Sequence, residues 1–469
     1  MNLRQAFFSI LLIGFLLLAA QLLRARIRLL RRLFLPGSII AGTAALLLGP
    51  EVLGTLAGEG AGVAADGLVP KAVLEVWQGL PGLLINVVFA ALFLGKAIPG
   101  MREMWYRAGP QVVFGQTLAW GQYVVGLTLT LLVLTPFFGM NAMAGALIEI
   151  GFEGGHGTAA GMAASFAELG FAEGADLALG LATVGIVGGV LFGVVLVNWA
   201  VRRGHIALSE EGDVVPVADP AGERAELDRL REENAESTEP LSLHIGIVAV
   251  AIGLGWLLHK LLIGLEALSW GRGGLQLMNH VPLFPLAMLG GVLIQLLVDR
   301  FGWGHHISRR LMNRISGAAL DFTIVTALAT LSLSAIGEHL LPFLLLAVAG
   351  SIWCLFCVLV LAPRLIPYNW FERGIGDFGQ SMGVTTTGLL LMRMSDPHNR
   401  SGALESFGYK QLFFEPIVGG GLFTAASLPL IVALGPVAML VFTAAVAGGW
   451  LVFGLWYFGP LARAERRRA

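Results

Sequence analysis

The chain has few charged residues and almost no net charge. Asp, Glu, Lys and Arg make up 13% of its 469 residues, and the formal net charge is −1. A near-neutral chain gives no basis for binding nucleic acid, which requires concentrated Lys and Arg. Together with 56% hydrophobic residues and a mean hydropathy of +0.78, the scarcity of charge excludes a soluble globular protein and indicates a membrane protein.

Cysteines and catalytic patterns are also scarce. The two cysteines, Cys354 and Cys357, lie in the apolar run 343–361. Without a second pair or flanking polar ligands, they fit core packing better than redox or metal chemistry. The sequence contains no HExxH pattern, although an intramembrane enzyme that uses His156, Glu149 and Glu153 as acid, base or metal ligands remains an alternative.

Long apolar runs dominate the chain. About 20 apolar residues cross a bilayer core of about 30 Å. Eleven spans are predicted, at 5–23, 33–50, 81–99, 111–134, 175–201, 242–263, 281–299, 316–336, 342–362, 407–433 and 436–459. The first could alternatively be a cleaved signal peptide, because Arg4 precedes it. The stretches 140–170 and 376–398 are too polar and too rich in glycine to be ordinary spans.

Arginines follow the odd-numbered spans and so predict the orientation. Cytoplasmic loops accumulate Lys and Arg, which places the ends of these spans and the C-terminus inside and the N-terminus outside. This assignment works only if 140–170 and 376–398 each enter and leave the membrane on one side. Both are therefore predicted to be re-entrant hairpins.

Two similar segments, about 230 residues apart, indicate a duplication. Ile186–Phe192 reads IVGGVLF and Ile417–Phe423 reads IVGGGLF, and a segment rich in glycine and threonine precedes each. Because five spans is an odd number, the second copy must be inverted relative to the first. The predicted fold is an all-α, polytopic transmembrane protein with inverted five-helix repeats, each with a re-entrant hairpin, plus one extra C-terminal helix.

The predicted domains follow from this duplication. The first repeat is 1–201 with its hairpin at 140–170, and an acidic cytoplasmic linker occupies 202–240. The second repeat is 241–433 with its hairpin at 376–398, and the extra span with a basic tail is 434–469.

The two hairpins supply the predicted solute site. Glycines allow a sharp turn, and the helix that follows presents unpaired N–H groups to an anion, while hydroxyl and amide groups can orient a solute or replace the water around a cation. The substrate-binding candidates are Gly154, Gly155, His156, Gly157, Thr158, Gln380, Ser381, Thr385, Thr386, Thr387 and Arg393. The threonines could instead bond only to broken-helix carbonyls, His156 could bond to backbone, and Arg393 could anchor the cytoplasmic surface.

Acidic residues in or near spans are candidate ligands for a coupling cation. Glu149 and Glu153 lie four residues apart and would share a helix face. Asp321 and Glu415 are further candidates. Such charges are costly at mid-bilayer and should be paired or functional. For each of these four residues, the alternative to a role in cation binding is a water-exposed position at the membrane interface.

The motif EGGHGTAAG at Glu153–Gly161 resembles the GGHGT-A signature of sodium/glutamate symporters. The segments Pro36–Gly42, Ala182–Gly193 and Gly317–Leu333 add to the resemblance, which covers most of the chain, whereas GQSMGVTTTG in the second hairpin departs from the family's usual GxGATPTA.

The resemblance implies a secondary active transporter that takes up a small anionic solute, an acidic amino acid similar to glutamate, by Na⁺ symport and an elevator-like movement. It implies a homodimer among the lipids of a bacterial inner membrane, with Na⁺ as coupling ion, no other cofactor and no enzymatic activity. Another small carboxylate as solute, or a non-transporting receptor or scaffold, remains open.

Overall fold

The structure is a computed structural model that describes residues 3–27, 30, 36–57, 67–96, 101–206, 240–269, 277–396 and 400–468. Apart from its two ends, the predicted acidic linker 202–240 lies outside the described residues. Helices are the only regular secondary structure in the described part of the chain. This confirms the predicted all-α class.

Seventeen of these helices contain six or more residues. They are α1 (Leu3–Arg26), α2 (Gly37–Leu48), α3 (Lys71–Ala90), α4 (Met101–Leu129), α5 (Gly155–Gly161), α6 (Ala163–Glu168), α7 (Glu173–Arg202), α8 (Pro240–Leu268), α9 (Phe284–Phe301), α10 (Arg309–Ala329), α11 (Leu333–Glu338), α12 (Leu340–Phe356), α13 (Trp370–Ser395), α14 (Ala403–Phe414), α15 (Leu422–Leu434), α16 (Pro436–Tyr457) and α17 (Gly459–Arg468). The remaining short pieces are α-helical (Thr55–Ala57, Thr135–Phe138 and Ala362–Leu365), π-helical (Pro50–Gly54, Thr130–Leu134, Glu149–Glu153 and Cys357–Leu361) or 3₁₀ (Ala142–Ala146, Met278–His280 and Gly304–His306).

Nine helices in the described residues are long and apolar enough to cross a membrane. They are Leu3–Arg26, Gly37–Gly54, Lys71–Ala90, Met104–Phe138, Glu173–Arg202, Leu241–Leu268, Phe284–Phe301, Leu340–Leu365 and Pro436–Tyr457. The chain is therefore a polytopic membrane protein. The more polar α10 corresponds to the predicted span 316–336, and α3 begins ten residues before the predicted span 81–99.

One predicted span is wrong. The stretch 407–433 is not a continuous helix, because α14 ends at Phe414 and α15 begins at Leu422. Pro416 has no N–H to donate to a helix, and Gly419 and Gly420 both adopt positive φ, at 70° and 97°. The broken backbone that results passes through the interior of the protein.

The helices pack into two bundles. The first bundle contains α1, α2, α3, α8, α9 and α10, and α3 and α10 are its most extensively packed pair. The second bundle contains α4, α7, α12, α13, α14, α15 and α16 together with the hairpin 140–170. Small residues bring the helices close together: Gly290 in α9 lies against the backbone of Ala251 in α8, and Gly291 lies against Ala90 at the end of α3.

Hairpin 1, residues 141–170, reverses direction at Gly154 and Gly155. The side-chain amide of Asn141 donates to the carbonyl of Gly170 at 3.5 Å, although the two residues are 29 positions apart. A continuous helix of that length would separate them by about 43 Å. The first arm contains the π-helical turn Glu149–Glu153, Gly155 has a φ of 70°, and α5 and α6 form the returning arm.

Hairpin 2 consists of the two arms of α13. The backbone leaves helical geometry at Gly383 and Val384, and a Cβ added to Gly379 would lie 2.7 Å from the Cα of Gly388. A straight helix would separate these two glycines by about 13 Å, so the arms must fold back on each other.

The tips of the two hairpins touch each other. A Cβ on Gly155 would overlap Cγ1 of Val384. Each hairpin also packs against one of the two similar sequence segments: Gly185 and Ile186 of α7 contact the second tip, and Gly419 donates its N–H to Glu149 of hairpin 1 at 2.8 Å. Each hairpin is thus held by the glycine-rich segment of the other half of the chain.

Replacing Gly388 with leucine should separate the arms of hairpin 2. A side chain there would collide with the carbonyl oxygen of Gly376, which is backbone and cannot rotate away. We expect Gly388→Leu to lower the free energy of unfolding by about 1–3 kcal/mol or more, seen as a lower melting temperature in detergent. Gly253→Leu is the control, because nothing lies within 4 Å of a Cβ at Gly253. Equal melting of the two variants would contradict this arrangement of hairpin 2.

Candidate functional site: a cavity where the hairpin tips meet

A cavity of about 830 Å³ lies between the two bundles at the hairpin tips. The first bundle contributes side chains of α2, α3 and α10, and the second contributes both tips and α14. The predicted site residues that line it are Glu153, Gly154, His156, Gly157, Thr158, Asp321, Gln380, Thr385, Thr386 and Glu415. The structure therefore brings residues of both glycine-rich stretches to one place.

The returning arm of each hairpin begins at the cavity. In hairpin 1 this arm starts at Gly155, and in hairpin 2 it starts after Val384. The first N–H groups of a helix have no intrahelical partner and carry partial positive charge, so two helix starts here favour an anion. A 2.9 Å hydrogen bond between the imidazole ring of His156 and the hydroxyl of Thr183 in α7 fixes the orientation of the ring.

Glu149 is buried and fully hydrogen-bonded. It accepts from the hydroxyl of Tyr123 at 2.6 Å, from the N–H of Gly419 at 2.8 Å and from the hydroxyl of Thr424 at 2.7 Å. It is fully buried and is not among the residues that line the cavity. Because three donors already stabilise its carboxylate, Glu149 ties hairpin 1 to α4 and to the break before α15.

Glu153 is also buried, but its carboxylate lacks the hydrogen bonds that Glu149 has. Its side chain is 3% exposed, it lines the cavity, and neither carboxylate oxygen has a hydrogen-bond partner among the described residues. Glu415 Oε2 and Thr158 Oγ1 also line the cavity without a partner. Buried oxygens are normally hydrogen-bonded, so four unpaired ones on three residues around one cavity indicate a place for a cation or a polar ligand.

Three cavity residues carry further charge. Asp321 of α10 lies half-buried in the wall, as does Arg309, whose guanidinium donates to the carbonyls of Ala91 and Leu94 at 3.0 and 2.9 Å. Lys96, which follows α3, also lines the cavity. The first bundle thus presents two cationic side chains to the cavity, and both are within electrostatic reach of Glu415.

Five predicted site residues lie outside the cavity lining: Glu149, Gly155, Ser381, Thr387 and Arg393. Thr387 donates to the carbonyl of Gly383 at 2.5 Å and stabilises its own hairpin. Ser381 is buried, and Arg393 is exposed near the end of α13. The segment Gly379–Gly383 fits the GxSxG pattern, but Ser381 lies in a helical arm instead of a strand-to-helix turn, and its hydroxyl has no partner among the described residues.

Sequence reasoning missed the pair formed by Lys410 and Asp377. Both side chains are 0% exposed, and Nζ lies 2.9 Å from Oδ1 of Asp377 and 2.9 Å from the amide oxygen of Gln380. A lysine within the predicted span 407–433 was the available signal, because a charge in a membrane helix needs a partner. The partner could not be identified, since Asp377 lies 33 positions earlier in a different element.

The comparison with protein families identifies the family of this chain. A sequence model of the sodium/glutamate symporter family matches residues 104–395, which is more than half of the chain. The matched region runs from α4 to the end of α13 and so includes both hairpins. The fold is that of a polytopic membrane protein, and the chain belongs to the sodium/glutamate symporter family. Comparisons with curated proteins and with solved structures gave no match.

The two glutamates of hairpin 1 should respond differently to the loss of charge. In Glu149→Gln the amide N–H₂ would face the Tyr123 hydroxyl, so at least one strong hydrogen bond is lost, and we expect the free energy of unfolding to fall by about 1.5–3 kcal/mol. Glu153→Gln loses no hydrogen bond and removes an unpaired buried charge, so stability should change little or increase. Thermal unfolding in detergent measures both. Equal destabilisation would contradict the different roles.

Proposed function

We propose that the protein is a secondary active transporter that couples uptake of an acidic amino acid similar to glutamate to the entry of Na⁺. The observation that carries the proposal is the meeting of two helical hairpins at a cavity lined by unpaired buried oxygens. In inverted-repeat transporters, solute and ion bind at such interrupted helices near the bilayer midplane. Membership of the sodium/glutamate symporter family supports this choice of solute and ion.

The starts of the returning arms would hold the anionic solute. Gly157, Thr158, Thr385 and Thr386 line the cavity near the starts of these arms, where helix dipoles would favour a carboxylate. The hydroxyls of these threonines would orient the solute. Lys96 and Arg309 lie at one end of the same cavity and would attract an anion into it.

Carboxylates that lack partners would hold the coupling ion. Na⁺ prefers oxygen ligands, and Glu153, Glu415 and Thr158 each present an unpaired oxygen. We assign Glu153 and Glu415 to the coupling site, with Asp321 as a further ligand on the first bundle. Glu149 would position hairpin 1 instead of binding an ion, since its oxygens are occupied.

Movement of the second bundle against the first would carry the site across the membrane. The end of the cavity near Arg309 carries exposed residues, whereas contacts join the bundles beyond the other end of α10. There Asp176 accepts from the N–H of Ser332 at 2.9 Å, and Ser165 donates to the carbonyl of His280 at 2.8 Å. Under the orientation predicted from the arginines, this arrangement would be the inward-facing state of the proposed elevator mechanism.

The proposed cellular setting follows the family. We propose a homodimer in a bacterial inner membrane, with the C-terminus in the cytoplasm and lipids around the exposed apolar faces of α1, α8 and α16. Na⁺ is the coupling ion, and no other cofactor is proposed. A different small carboxylate as solute is the second candidate, because the sequence of hairpin 2 departs from the family pattern.

Uptake into liposomes tests this function. Purified protein should accumulate labelled glutamate when Na⁺ is present outside only, and uptake should stop when choline replaces Na⁺. Gly157→Leu should abolish uptake, since its side chain would collide with Ile85 and Leu320 of the first bundle and block the movement. Gly253→Leu should transport normally. Normal transport by Gly157→Leu would place the site elsewhere, and no uptake of glutamate, aspartate or other carboxylates by the wild type would refute the proposal.

Removing the charge of Glu153 should weaken coupling to Na⁺. An amide binds Na⁺ less tightly than a carboxylate does, so Glu153→Gln should need at least about tenfold more Na⁺ for half-maximal uptake, which corresponds to about 1.4 kcal/mol of lost ion binding. Glu75→Gln, on an exposed face of α3, is the matched control. An unchanged Na⁺ dependence of Glu153→Gln would remove Glu153 from the coupling site.

A further inference from the structure

The ammonium group of Lys410 occupies a cage in the interior of the second bundle. Its side chain is completely buried, and Nζ lies 2.9 Å from a carboxylate oxygen of Asp377 and 2.9 Å from the amide oxygen of Gln380. Both partners belong to the first arm of hairpin 2, one turn apart on the same helix face. A carboxylate and an amide oxygen are ligands that a free monovalent cation would also use.

Aromatic rings close the other side of the cage. Nζ lies 3.6 Å from the centre of the Phe414 ring and 5.3 Å from that of the Phe407 ring. Phe407 precedes Lys410 and Phe414 follows it on one face of α14. Aromatic faces attract cations, most strongly where water is excluded. Gly115 of α4 makes the space, because a Cβ there would lie 2.5 Å from Cε and 3.0 Å from Nζ of Lys410. Helices α4, α13 and α14 therefore together enclose a single positive charge.

The cage lies directly behind the transport cavity. Gln380 bonds to Lys410 and also lines the cavity, and Glu153 and Glu415 are within electrostatic reach of the ammonium group. A buried ion pair is a poor way to stabilise a fold, since apolar residues of similar volume often do as well or better. A charge in this position instead sets the electrostatic balance of the site.

We propose that Lys410 is a built-in cation: its ammonium group permanently occupies a monovalent-cation site, formed by Asp377, Gln380 and the two phenylalanines, that would otherwise take up a free cation. Asp377 is neutralised in every state of the protein and needs no ion from solution. The consequence for transport rests on the proposed function: coupling requires one Na⁺ fewer than the number of buried carboxylates at the site suggests. The existence of the cage does not depend on transport.

Removing the ammonium group should convert the cage into a site for free cations. Lys410→Ala leaves Asp377 and Gln380 in place and deletes Cγ, Cδ, Cε and Nζ, a set of atoms that n-propylammonium reproduces. The experiment is thermal unfolding of the purified full-length protein in detergent, in choline chloride, NaCl or n-propylammonium chloride at constant ionic strength. We expect Lys410→Ala to melt below the wild type in choline.

In NaCl or n-propylammonium chloride, the melting temperature of Lys410→Ala should rise by about 1–2 °C beyond any rise in the wild type. This is the size expected when one added ligand reaches roughly ten times its dissociation constant. A melting temperature with the same dependence on both cations as the wild type would overturn the proposal.

Two controls separate this effect from general salt stabilisation. Lys260→Ala, on an exposed face of α8, should show the cation dependence of the wild type. The double variant Asp377→Asn with Lys410→Ala removes the carboxylate as well and should lose the added dependence on Na⁺. An added dependence that persists in the double variant would show that the cation binds elsewhere, which also overturns the proposal.

A second variant covers the case in which Lys410→Ala does not fold. Lys410→Gln keeps most of the side-chain volume and can donate to Asp377, but lacks the charge. A smaller loss of stability is therefore expected, with an added Na⁺ dependence that is smaller than in Lys410→Ala because the amide fills part of the cage. Uptake measurements on the wild type keep the two proposals apart. If the wild type fails to transport while Lys410→Ala gains cation-dependent stability, the transport proposal fails and the built-in cation stands. If the wild type transports while Lys410→Ala gains no cation-dependent stability, only the built-in cation is rejected.

Discussion

The contact between Gly155 and Val384 is the constraint on which the rest of the site depends. Gly155 has no side chain and a φ of 70°, and any Cβ there would overlap Val384. Val384 itself has a φ of 63°, which is unfavourable for a β-branched residue and costs about 1–3 kcal/mol. Such strain persists only where the surroundings impose it. Here the contact between the two hairpin tips imposes the strain. The same contact brings the starts of two helices together.

The buried carboxylates of the second bundle fall into two groups with different physical roles. Glu149 has three donors and Asp377 has an ammonium group, so their charges are compensated inside the protein. Glu153 and Glu415 border the cavity and keep unpaired oxygens. Both also lie within electrostatic reach of Lys410, but they border the cavity, so they are the carboxylates that a cation entering the cavity can contact directly. The sequence distance between these residues gives no indication of this division.

Composition and pattern predicted the membrane class, both glycine-rich stretches and ten of the residues that line the cavity. These features are local: a helix-breaking run in an apolar chain must line a cavity, because unpaired backbone groups cannot face lipid. The break between Phe414 and Leu422 was missed because a hydropathy window averages over it, although Pro416 and Gly419 were visible signals. The Lys410 and Asp377 pair depends on tertiary packing across α13 and α14, which no local pattern encodes. The inverted relation of the two halves stays a prediction, supported by the packing of each glycine-rich segment on the opposite hairpin.

Charge compensation also explains why movement and ion binding would be linked. A bundle that moves across the bilayer carries its buried charges with it, and each uncompensated charge adds to the barrier. With Glu149 and Asp377 already compensated, the barrier of the empty protein is set by the carboxylates at the cavity. An anion alone would increase the local negative charge, whereas a cation bound by Glu153 offsets that carboxylate and attracts the anion to the neighbouring helix starts. Under the proposed function, the fully loaded cavity would be the form that moves most easily, and obligatory coupling would arise from which carboxylates have partners and which do not.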